Sequence, residues 1–408
     1  MSAPAGTAGS GFSLRDWGSS LFWTLAESVT AILLAVVVGG IGITLFSGFL
    51  PNNHPAFDVG LPFAAYGALW SGAVGSINGI GSTLSYATPL ALAGLGVGLG
   101  FKAGLFNIGG RGQFLMGSVG AMAVVTVMGP SQNGLITVPL ALIVGGLFGA
   151  FAGFIPGALK ATSGAHEVVT TIMLNYIFVF ATYWAISGPL RLPNSPQAIT
   201  ADASAWGAAL PTIHIPEVDI LGLHLFGADV LGRDAHYGIL LAVLALPVIW
   251  FLLFRTTLGF EIRAAGANSD AARYAGMKTK QLVVLTMSMA GGLCGLAGAT
   301  TLLGVVHQMA PGYDTTIGFD AITVALVGRS NPVGIGLAAL LFGGMRAGAQ
   351  TMQISPGVPG ELVDALQMFI LLFLVINILR RWMAKRPTGG SALTTGAEVA
   401  PLAAEVSK

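Results

Sequence analysis

The sequence predicts an all-α polytopic membrane protein with about ten transmembrane helices. Two properties of the composition support this prediction: 54% of the 408 residues are hydrophobic, and only 9% are charged. A soluble domain carries about 25% charged residues, so this chain has too few to cover a water-facing surface. The third observation is the 59 glycines without a collagen repeat, which are typical of closely packed membrane helices.

Apolar segments are predicted to be helices in the membrane, because about 20 apolar residues cross the hydrocarbon core. In order, they are 21–48, 83–101, 113–129, 135–158, 168–187, 237–254, 281–305, 319–328, 333–350 and 362–380. The eighth segment is too short to cross alone, which indicates a half-helix or a re-entrant segment. Residues 57–81 are Gly-rich and mildly amphipathic, so we place them at the outer interface, with a further span as the alternative.

The two ends of the chain differ in composition from the apolar part. Residues 1–20 are mostly small and polar, and we predict a cytoplasmic N-terminal segment. The first apolar run is too long for a cleavable signal peptide, so we expect a retained helix. Residues 387–408 are rich in Gly, Ser, Thr and Ala, and we predict a disordered cytoplasmic tail. The membrane domain is then 21–386.

The Lys and Arg residues predict the orientation, because cytoplasmic loops are enriched in them. With both termini in the cytoplasm, most of the 18 Lys and Arg residues fall on the cytoplasmic side. Arg191 and Arg233 fall outside, and Arg346 falls within a span. In this orientation 188–236 is an extracytoplasmic loop and 255–280 is a cytoplasmic loop.

A stripe of glycines marks one helix face, with Gly145, Gly149, Gly153 and Gly157 four residues apart. Such a stripe lets two helix backbones approach closely. We interpret it as packing within the chain, with a homodimer seam as the alternative.

The order of the spans indicates an inverted repeat. Spans two to five begin outside, and spans seven to ten begin inside. Inverted repeats often place a transport pathway between their halves, although no residue-level repeat is visible here.

Several sequence motifs that mark particular classes of enzyme or metal site are absent from the sequence. There is no Walker A sequence, HExxH, CxxC or Gly-x-Ser-x-Gly, and the one cysteine, Cys294, lies in an apolar segment. We therefore predict no catalytic residue and no metal site, and expect that the chain is not an enzyme.

The stretch GLFNIGGRGQFLMGSVGAM, 104–122, separates two apolar segments with polar side chains among glycines. Non-helical backbone is tolerated in a membrane only where protein buries it or a cavity hydrates it. One interpretation is a discontinuous helix at a pathway, where Asn107 and Gln113 supply hydrogen bonds. The other is a cytoplasmic turn between spans two and three, which Lys102 and Arg111 also favour.

The stretch HEVVTTIMLNYI, 166–177, starts the fifth span. Glu167, Thr171 and Asn175 share a helix face by their four-residue spacing. Polar side chains in a span face the bundle interior or a water-filled cavity, so these residues are candidates for lining or gating a pathway. The alternative is capping and hydrogen bonding between helices, because acids stabilise a helix N-terminus.

The stretch FRTTLGFEIRAAGANSDAARYAGMKTKQ, 254–281, is the most charged in the chain and contains a short predicted helix. Asn268 or Ser269 can cap the start of this helix, and Gly276 can end it in the left-handed conformation. Its small residues make it slim, which suits docking into a groove of another protein. An amphipathic loop on the headgroups is the alternative.

A weaker candidate is GFDAITVALVGRSNPVGIG, 318–336, which places Asp320 at the start of the short eighth span. An intramembrane acid is a functional candidate by default. A helix cap is the alternative.

Together these stretches resemble the permease subunits of bacterial ABC importers for nucleosides and simple sugars, within the wider ribose and branched-chain amino acid permease group. The resemblance rests on GLFNIGGRGQ, HEVVTTIMLNYI and RAAGANSDAARYAGM, and extends over roughly residues 60–380. It implies a fold similar to that of the vitamin B12 importer permease. Arg111 stands where the family often has an acidic residue, which argues against a charge-based role there.

The resemblance also implies partners. Residues 258–277 would be the coupling segment that contacts a cytoplasmic ABC ATPase. The positions that match the family pattern there are Arg263, Gly266, Asn268, Ala271, Ala272 and Gly276. A second, often different permease would complete the pathway, and an extracytoplasmic binding protein would deliver the substrate. ATP and magnesium would bind the ATPase, and this chain would bind no cofactor.

The predicted function is that of a non-catalytic permease subunit in the bacterial plasma (inner) membrane, with no nucleic-acid partner. The predicted pathway residues are Phe106, Asn107, Gln113, Glu167, Thr171, Asn175 and Asp320. A path with few ionisable residues suits nucleosides or simple sugars. The main alternative is an ion-coupled secondary transporter with Glu167 and Asp320 as ion sites. A channel would need a charged ring or a repeated filter, which is not visible, and a membrane scaffold is the last alternative.

Overall fold

The computed structural model of the chain describes residues 14–49, 55, 57–130, 133–210, 219–220, 223–224, 235–313 and 315–384. Within these residues the α-helices are α1 (Leu14–Phe46), α2 (Leu61–Val74), α3 (Ile77–Lys102), α4 (Gly110–Met128), α5 (Gly134–Ser163), α6 (Glu167–Ser187), α7 (Gly238–Arg255), α8 (Thr257–Ala267), α9 (Ser269–Tyr274), α10 (Thr279–Thr301), α11 (Ile317–Val327), α12 (Pro332–Ile354) and α13 (Glu361–Ala384). A 3₁₀ turn follows α1 at Ser47–Phe49, and a π-helix continues α10 at Leu302–Val306. Two short strands, β1 (Asp219–Ile220) and β2 (Leu223–His224), pair antiparallel.

Every predicted span coincides with a helix, which confirms an all-helical membrane protein. Among the described residues, seven helices are long and apolar enough to cross a membrane, namely α3 to α7, α10 with its π-helical end, and α12. Helix α11 has 11 residues. It is therefore too short to cross a membrane alone, as predicted for the eighth segment. Helix α1 begins at Leu14 rather than at residue 21, so part of the predicted N-terminal segment 1–20 is helical. Residues 1–13 and the predicted tail 387–408 lie outside the described residues.

Residues 57–81, predicted at the outer interface, contain helix α2 and the start of α3. Helix α2 has 14 residues, too few to cross a membrane alone. It packs on α12, where a Cβ added to Gly72 would lie 3.1 Å from the Cα of Gly348. The hydroxyl of Tyr66 donates a hydrogen bond of 2.7 Å to the carbonyl of Val36 in α1. Helix α2 is therefore part of the helix bundle.

The glycine stripe of α5 lies against α10. A Cβ on Gly149 would lie 2.5 Å from the Cα of Gly295, and one on Gly157 would lie 2.9 Å from the Cβ of Met287. The stripe therefore packs within the chain, as interpreted from its spacing. Such close backbone contact gains dispersion energy where lipid supplies no hydrophobic effect between helices.

The helices contact one another in matching pairs. Helices α3 and α10 contact each other, α4 and α5 pack on α10, and α11 and α12 pack on α3. In the same way, α6 contacts α4 and α13 contacts α11. Among themselves, α3 to α6 thus contact one another and α10 in the way that α10 to α13 contact one another and α3, whereas α12 and α13 also pack on α2 and α1.

Part of the predicted extracytoplasmic loop packs on the end of the π-helix. The amide of Thr200 donates to the carbonyl of Met309 at 3.0 Å, and the amide of Ala203 donates to the carbonyl of His307 at 2.9 Å. In the same loop, the pKa of Asp202 lies below its ordinary value. Burial raises this pKa, but hydrogen bonds from Ser204 and Ala205 together lower it by more. Residues 211–218, 221–222 and 225–234 of this loop lie outside the described residues.

Candidate functional site

The stretch 104–122 contains a break between two helices. Helix α3 ends at Lys102, α4 begins at Gly110, and the residues between them are not helical. The Sγ of Cys294 lies 3.9 Å from the carbonyl oxygen of Ala93, and a Cβ on Gly110 would lie 3.7 Å from the same sulfur. With a rise of 1.5 Å per residue, Ala93 is about 13 Å before the end of α3. The chain therefore turns back into the bundle before α4 starts, as the discontinuous-helix interpretation expects.

Asn107 and Gln113 join the two sides of this break. The Nδ2 of Asn107 donates to the Oε1 of Gln113 at 2.9 Å, and the Nε2 of Gln113 donates to the Oδ1 of Asn107 at 3.2 Å. The Oδ1 of Asn107 also accepts from the amide of Gly109 at 2.9 Å. Asn107 is 0% exposed and Gln113 is 1% exposed. Asn107 therefore satisfies a buried amide in the break, and Gln113 holds the Asn107 side chain in place.

Asn175 of α6 binds the same break from the other side. Its Nδ2 donates to the carbonyl of Ile108, and its Oδ1 accepts from the amide of Gly112, both at 2.9 Å. The hydroxyl of Thr171 donates to the carbonyl of Glu167 at 2.7 Å. Glu167, Thr171 and Asn175 are all buried, so they share one inward face as predicted.

Glu167 lies at the start of α6 and holds the beginning of the break. Its carboxylate accepts a hydrogen bond of 2.5 Å from the Nζ of Lys160 at the end of α5 and another from the backbone of Phe106. The Phe106 side chain itself is 40% exposed. Glu167 is therefore neither only a helix cap nor an isolated acid, because it ties α5 to the break.

A second break precedes α11. The π-helix ends at Val306, the next residue, His307, has a φ of +60°, and α11 begins at Ile317. Between them, the hydroxyl of Tyr313 lies 3.0 Å from that of Ser118 in α4. This contact links the second break to α4.

The two breaks meet at the starts of α4 and α11. A Cβ on Gly110 would lie 3.0 Å from the carbonyl oxygen of Gly318, and one on Gly318 would lie 2.6 Å from the carbonyl carbon of Gly110. Glycine at both positions therefore lets two helix N-termini touch. The positive ends of two helix dipoles point towards this junction.

Asp320 lies beside the junction and pairs with an arginine of α12. Its Oδ2 accepts from Arg346 at 2.6 Å and from the hydroxyl of Thr316 at 3.1 Å. The same Arg346 nitrogen also donates to the Thr316 hydroxyl at 2.6 Å and lies 3.7 Å from Asp364 of α13. Asp320 is thus the acid of a buried ion pair, rather than only a cap.

Arg346, Thr316 and Asp364 are site residues that the sequence prediction did not include. Arg346 was visible as a basic residue within a span, and Asp320 as an acid within another. Because intramembrane charges almost always pair, an ion pair between these two residues could have been suggested from the sequence. Thr316 and Asp364 carry no comparable signal.

The segment 258–277 contains α8 and α9. The side chain of Asn268 accepts hydrogen bonds of 3.0 Å from the amides of Asp270 and Ala271, and Gly276 has a φ of +86°. Both the cap and the left-handed end of the predicted short helix are therefore confirmed. Ala271 is exposed, whereas Ala272 is 4% exposed.

The remaining two matched residues of this segment face the rest of the bundle. The guanidinium of Arg263 lies 5.2 Å from the ring centroid of Phe254 in α7. Gly266 packs on the backbone that follows α3, where a Cβ would lie 2.7 Å from the carbonyl carbon of Ala103. This segment thus has an outer face around Ala271 and an inner face at Gly266.

Known proteins resemble the chain over most of its length. A family model described as "Branched-chain amino acid transport system / permease component" matches residues 79–376. The chain is 39% identical over 362 residues to the guanosine ABC transporter permease protein NupP of Bacillus subtilis, covering 88% of this chain and 95% of that protein. It is 36% identical over 329 residues to the nucleoside ABC transporter permease protein NupB of Lactococcus lactis, covering 78% and 85%.

A third relative is named for a different substrate. The chain is 32% identical over 354 residues to the glucose ABC transporter permease protein TsgB13 of Haloferax volcanii, covering 86% of each chain. No solved structure matches the chain.

Proposed function

Because the chain belongs to the permease family of branched-chain amino acid transport systems, we propose that it forms part of the translocation pathway for nucleosides in an ATP-driven importer. Its relatives are ABC transporter permeases, and the chain is accordingly a non-catalytic permease subunit of an ABC importer. The family predicted from the three sequence stretches is thereby confirmed.

The observation that carries the proposed pathway is the meeting of two helix breaks at Gly110 and Gly318. Transporter sites are often formed by discontinuous helices near the middle of the membrane. Asn107, Gln113 and Asn175 keep the first break in one conformation, while Glu167 anchors its start. In this proposal these buried residues shape the pathway rather than line it, and the exposed Phe106 reaches its surface.

The matching helix contacts support an inverted repeat of α3–α6 and α10–α13. In such a repeat the pathway lies where the halves meet, which is the position of the Gly110–Gly318 junction. We extend the proposal to ten membrane helices and to a fold similar to that of the vitamin B12 importer permease. The helical architecture of the chain and the short helix α11 support this extension.

For the coupling segment we propose that α8 and α9 contact a cytoplasmic ABC ATPase, which binds ATP and magnesium. Ala271 and Asn268 lie on the exposed face, and Tyr274 is 88% exposed. Gly266 and Arg263 connect this segment to the bundle. Gly276 ends α9 and fixes the direction of the chain that leads to α10.

We propose the inner membrane as the location, with both termini in the cytoplasm. This orientation places α8, α9 and Lys160 on the cytoplasmic side, in agreement with the bias of Lys and Arg. A second, homologous permease and an extracytoplasmic binding protein complete the importer. The exposed apolar face of α6, which includes Phe180 at 71% and Trp184 at 69% exposure, offers a surface for the second permease.

The ion-coupled alternative is less favourable on electrostatic grounds. It requires a carboxylate that binds a transported cation. Glu167 already pairs with Lys160, and Asp320 already pairs with Arg346. A proton or sodium ion would have to displace the Lys160 ammonium or the Arg346 guanidinium, each of which lies within hydrogen-bond distance of its carboxylate.

The proposed function is tested by transport in vesicles that contain this chain with the ATPase, second permease and binding protein encoded beside it. We expect radiolabelled nucleoside uptake that requires every component and ATP hydrolysis, and that nucleosides compete for but ribose does not. ATP-independent uptake by this chain alone would instead establish the ion-coupled alternative. Competition by ribose or glucose alone would assign a sugar substrate.

A further inference from the structure

A polar cavity of about 500 Å³ lies beside the junction of the two breaks. It is lined by Arg111, Thr315, Thr316, Phe319, Arg346 and Asp364. These residues come from the starts of α4, α11 and α13 and from the middle of α12. The cavity is therefore built from both halves of the bundle, at the level where the helices are interrupted.

The two carboxylates near this cavity differ in their hydrogen bonding and in their exposure. Asp320 is fixed by Arg346 and Thr316, and its side chain is 6% exposed. The carboxylate of Asp364 lies 3.7 Å from Arg346, which is beyond hydrogen-bond distance, and its side chain is 57% exposed. The Arg346 side chain lines the cavity and is 24% exposed. The cavity thus presents an accessible acceptor at Asp364 beside a donor at Arg346.

The cavity also presents flat surfaces. The guanidinium of Arg111 lies 5.8 Å from the ring centroid of Phe319, and Phe319 is 38% exposed. Aromatic rings and guanidinium planes both stack on nucleobases. Counting Asp320, the cavity region has two cations and two anions, so the balance of charge suits a neutral ligand.

We propose that this cavity is a nucleoside-contacting site within the pathway, an inference that rests on the proposed function. The base stacks on Phe319 beside Arg111, and the ribose hydroxyls donate to Asp364 and accept from Arg346. Asp320 is a positioning residue, because it holds the Arg346 guanidinium and is not part of the cavity lining. Thr316 accepts from the same guanidinium and also lines the cavity. A hexose would satisfy the hydroxyl contacts but lacks a planar base.

The proposal is tested by photolabelling the complete reconstituted importer with a radiolabelled 8-azido-purine nucleoside. We expect labelled peptides that contain Arg111, Phe319 or Asp364, with labelling prevented by excess nucleoside but not by glucose. Asp364→Asn should lower both labelling and the maximal uptake rate about tenfold, as expected for one weakened hydrogen bond to a charged group. Glu361→Gln, a carboxylate change in the same helix outside the cavity lining, is the matched control and should change neither.

The other possible results of this experiment distinguish failure of the cavity site from failure of the proposed function. Intact nucleoside uptake with no label in these peptides would overturn the cavity site and leave the proposed function standing. Labelling that glucose prevents equally well would overturn the nucleoside specificity of the site. Absence of nucleoside uptake by the unmodified importer would instead overturn the proposed function, and the cavity proposal with it.

Discussion

Gly266 of α8 lies directly against Gly104, at the start of the break between α3 and α4. A Cβ on Gly104 would lie 3.1 Å from the carbonyl oxygen of Gly266 and 3.2 Å from its Cα. The proposed coupling segment therefore contacts the break through a close approach of two backbones at this point. Three residues further on, Asn107 is buried and hydrogen-bonded to Gln113 of α4. A movement of α8 can thus reach the junction of the breaks through a short and closely packed piece of chain.

The first prediction concerns this contact. In Gly266→Ala the new Cβ would lie 2.7 Å from the carbonyl carbon of Ala103 and 2.8 Å from the amide nitrogen of Gly104, so one backbone segment must shift. We expect nucleoside uptake to fall while ATP hydrolysis by the complex persists, with a stability loss of about 1–3 kcal/mol. Gly67→Ala, in α2 where a Cβ meets nothing within 4 Å, is the control. Full coupled uptake by Gly266→Ala would show that the contact does not transmit movement.

A second prediction concerns Asn175, which satisfies the carbonyl of Ile108 and the amide of Gly112. In Asn175→Leu both backbone groups lose their partner, and each buried group left unpaired costs about 1–3 kcal/mol. We expect a clear decrease in melting temperature in detergent. Tyr176→Leu, at the next residue but 61% exposed, should change it little. An unchanged melting temperature for Asn175→Leu would mean that water replaces the side chain.

A third prediction concerns the ion pair of Asp320 with Arg346. Arg346→Met leaves a carboxylate with a 6% exposed side chain without its cation, and breaking a buried pair in this way costs about 3–5 kcal/mol. Adding Asp320→Asn should recover most of this loss, because the charge that needed a partner is gone. Thermal unfolding of both single variants and the double variant measures the coupling energy. Strictly additive losses would show that the two residues do not stabilise each other.

A fourth prediction concerns the exposed face of α9. Ala271→Trp adds bulk at a position exposed in this chain, so folding and melting temperature should not change. If the ATPase docks there, ATP-dependent uptake should fall about tenfold or more, because a well-packed interface excludes the ring. Ala271→Ser keeps the small size and should retain uptake. Normal uptake by the Trp variant would remove α9 from the proposed ATPase interface.

The sequence located the helices better than it located their partners. Every apolar segment predicted from the sequence lies on a helix, because lipid requires each backbone polar group to bond within its own helix. The positions of Asn268 and Gly276 were also predictable, since a helix cap and a left-handed end depend on neighbouring residues. Two opposite charges within spans suggest an ion pair from the sequence, but the choice of Asp320 as the partner of Arg346 depends on how α12 packs near α11. The π-helix at Leu302–Val306 and the junction of Gly110 with Gly318 are equally tertiary features.

The glycine stripe of α5 allows the most direct comparison of sequence and packing. Gly149 and Gly146 lie on the same helix, but a Cβ on Gly149 would lie 2.5 Å from the Cα of Gly295, whereas one on Gly146 would first meet the Leu296 side chain at 3.2 Å. A side chain can rotate away and a helix backbone cannot, so Gly149→Ala should destabilise the protein by about 1–3 kcal/mol. Gly146→Ala should cost less, because alanine also favours the helix by about 1 kcal/mol over glycine. Melting both variants in detergent measures the difference, and equal effects would mean that α5 and α10 can separate without loss.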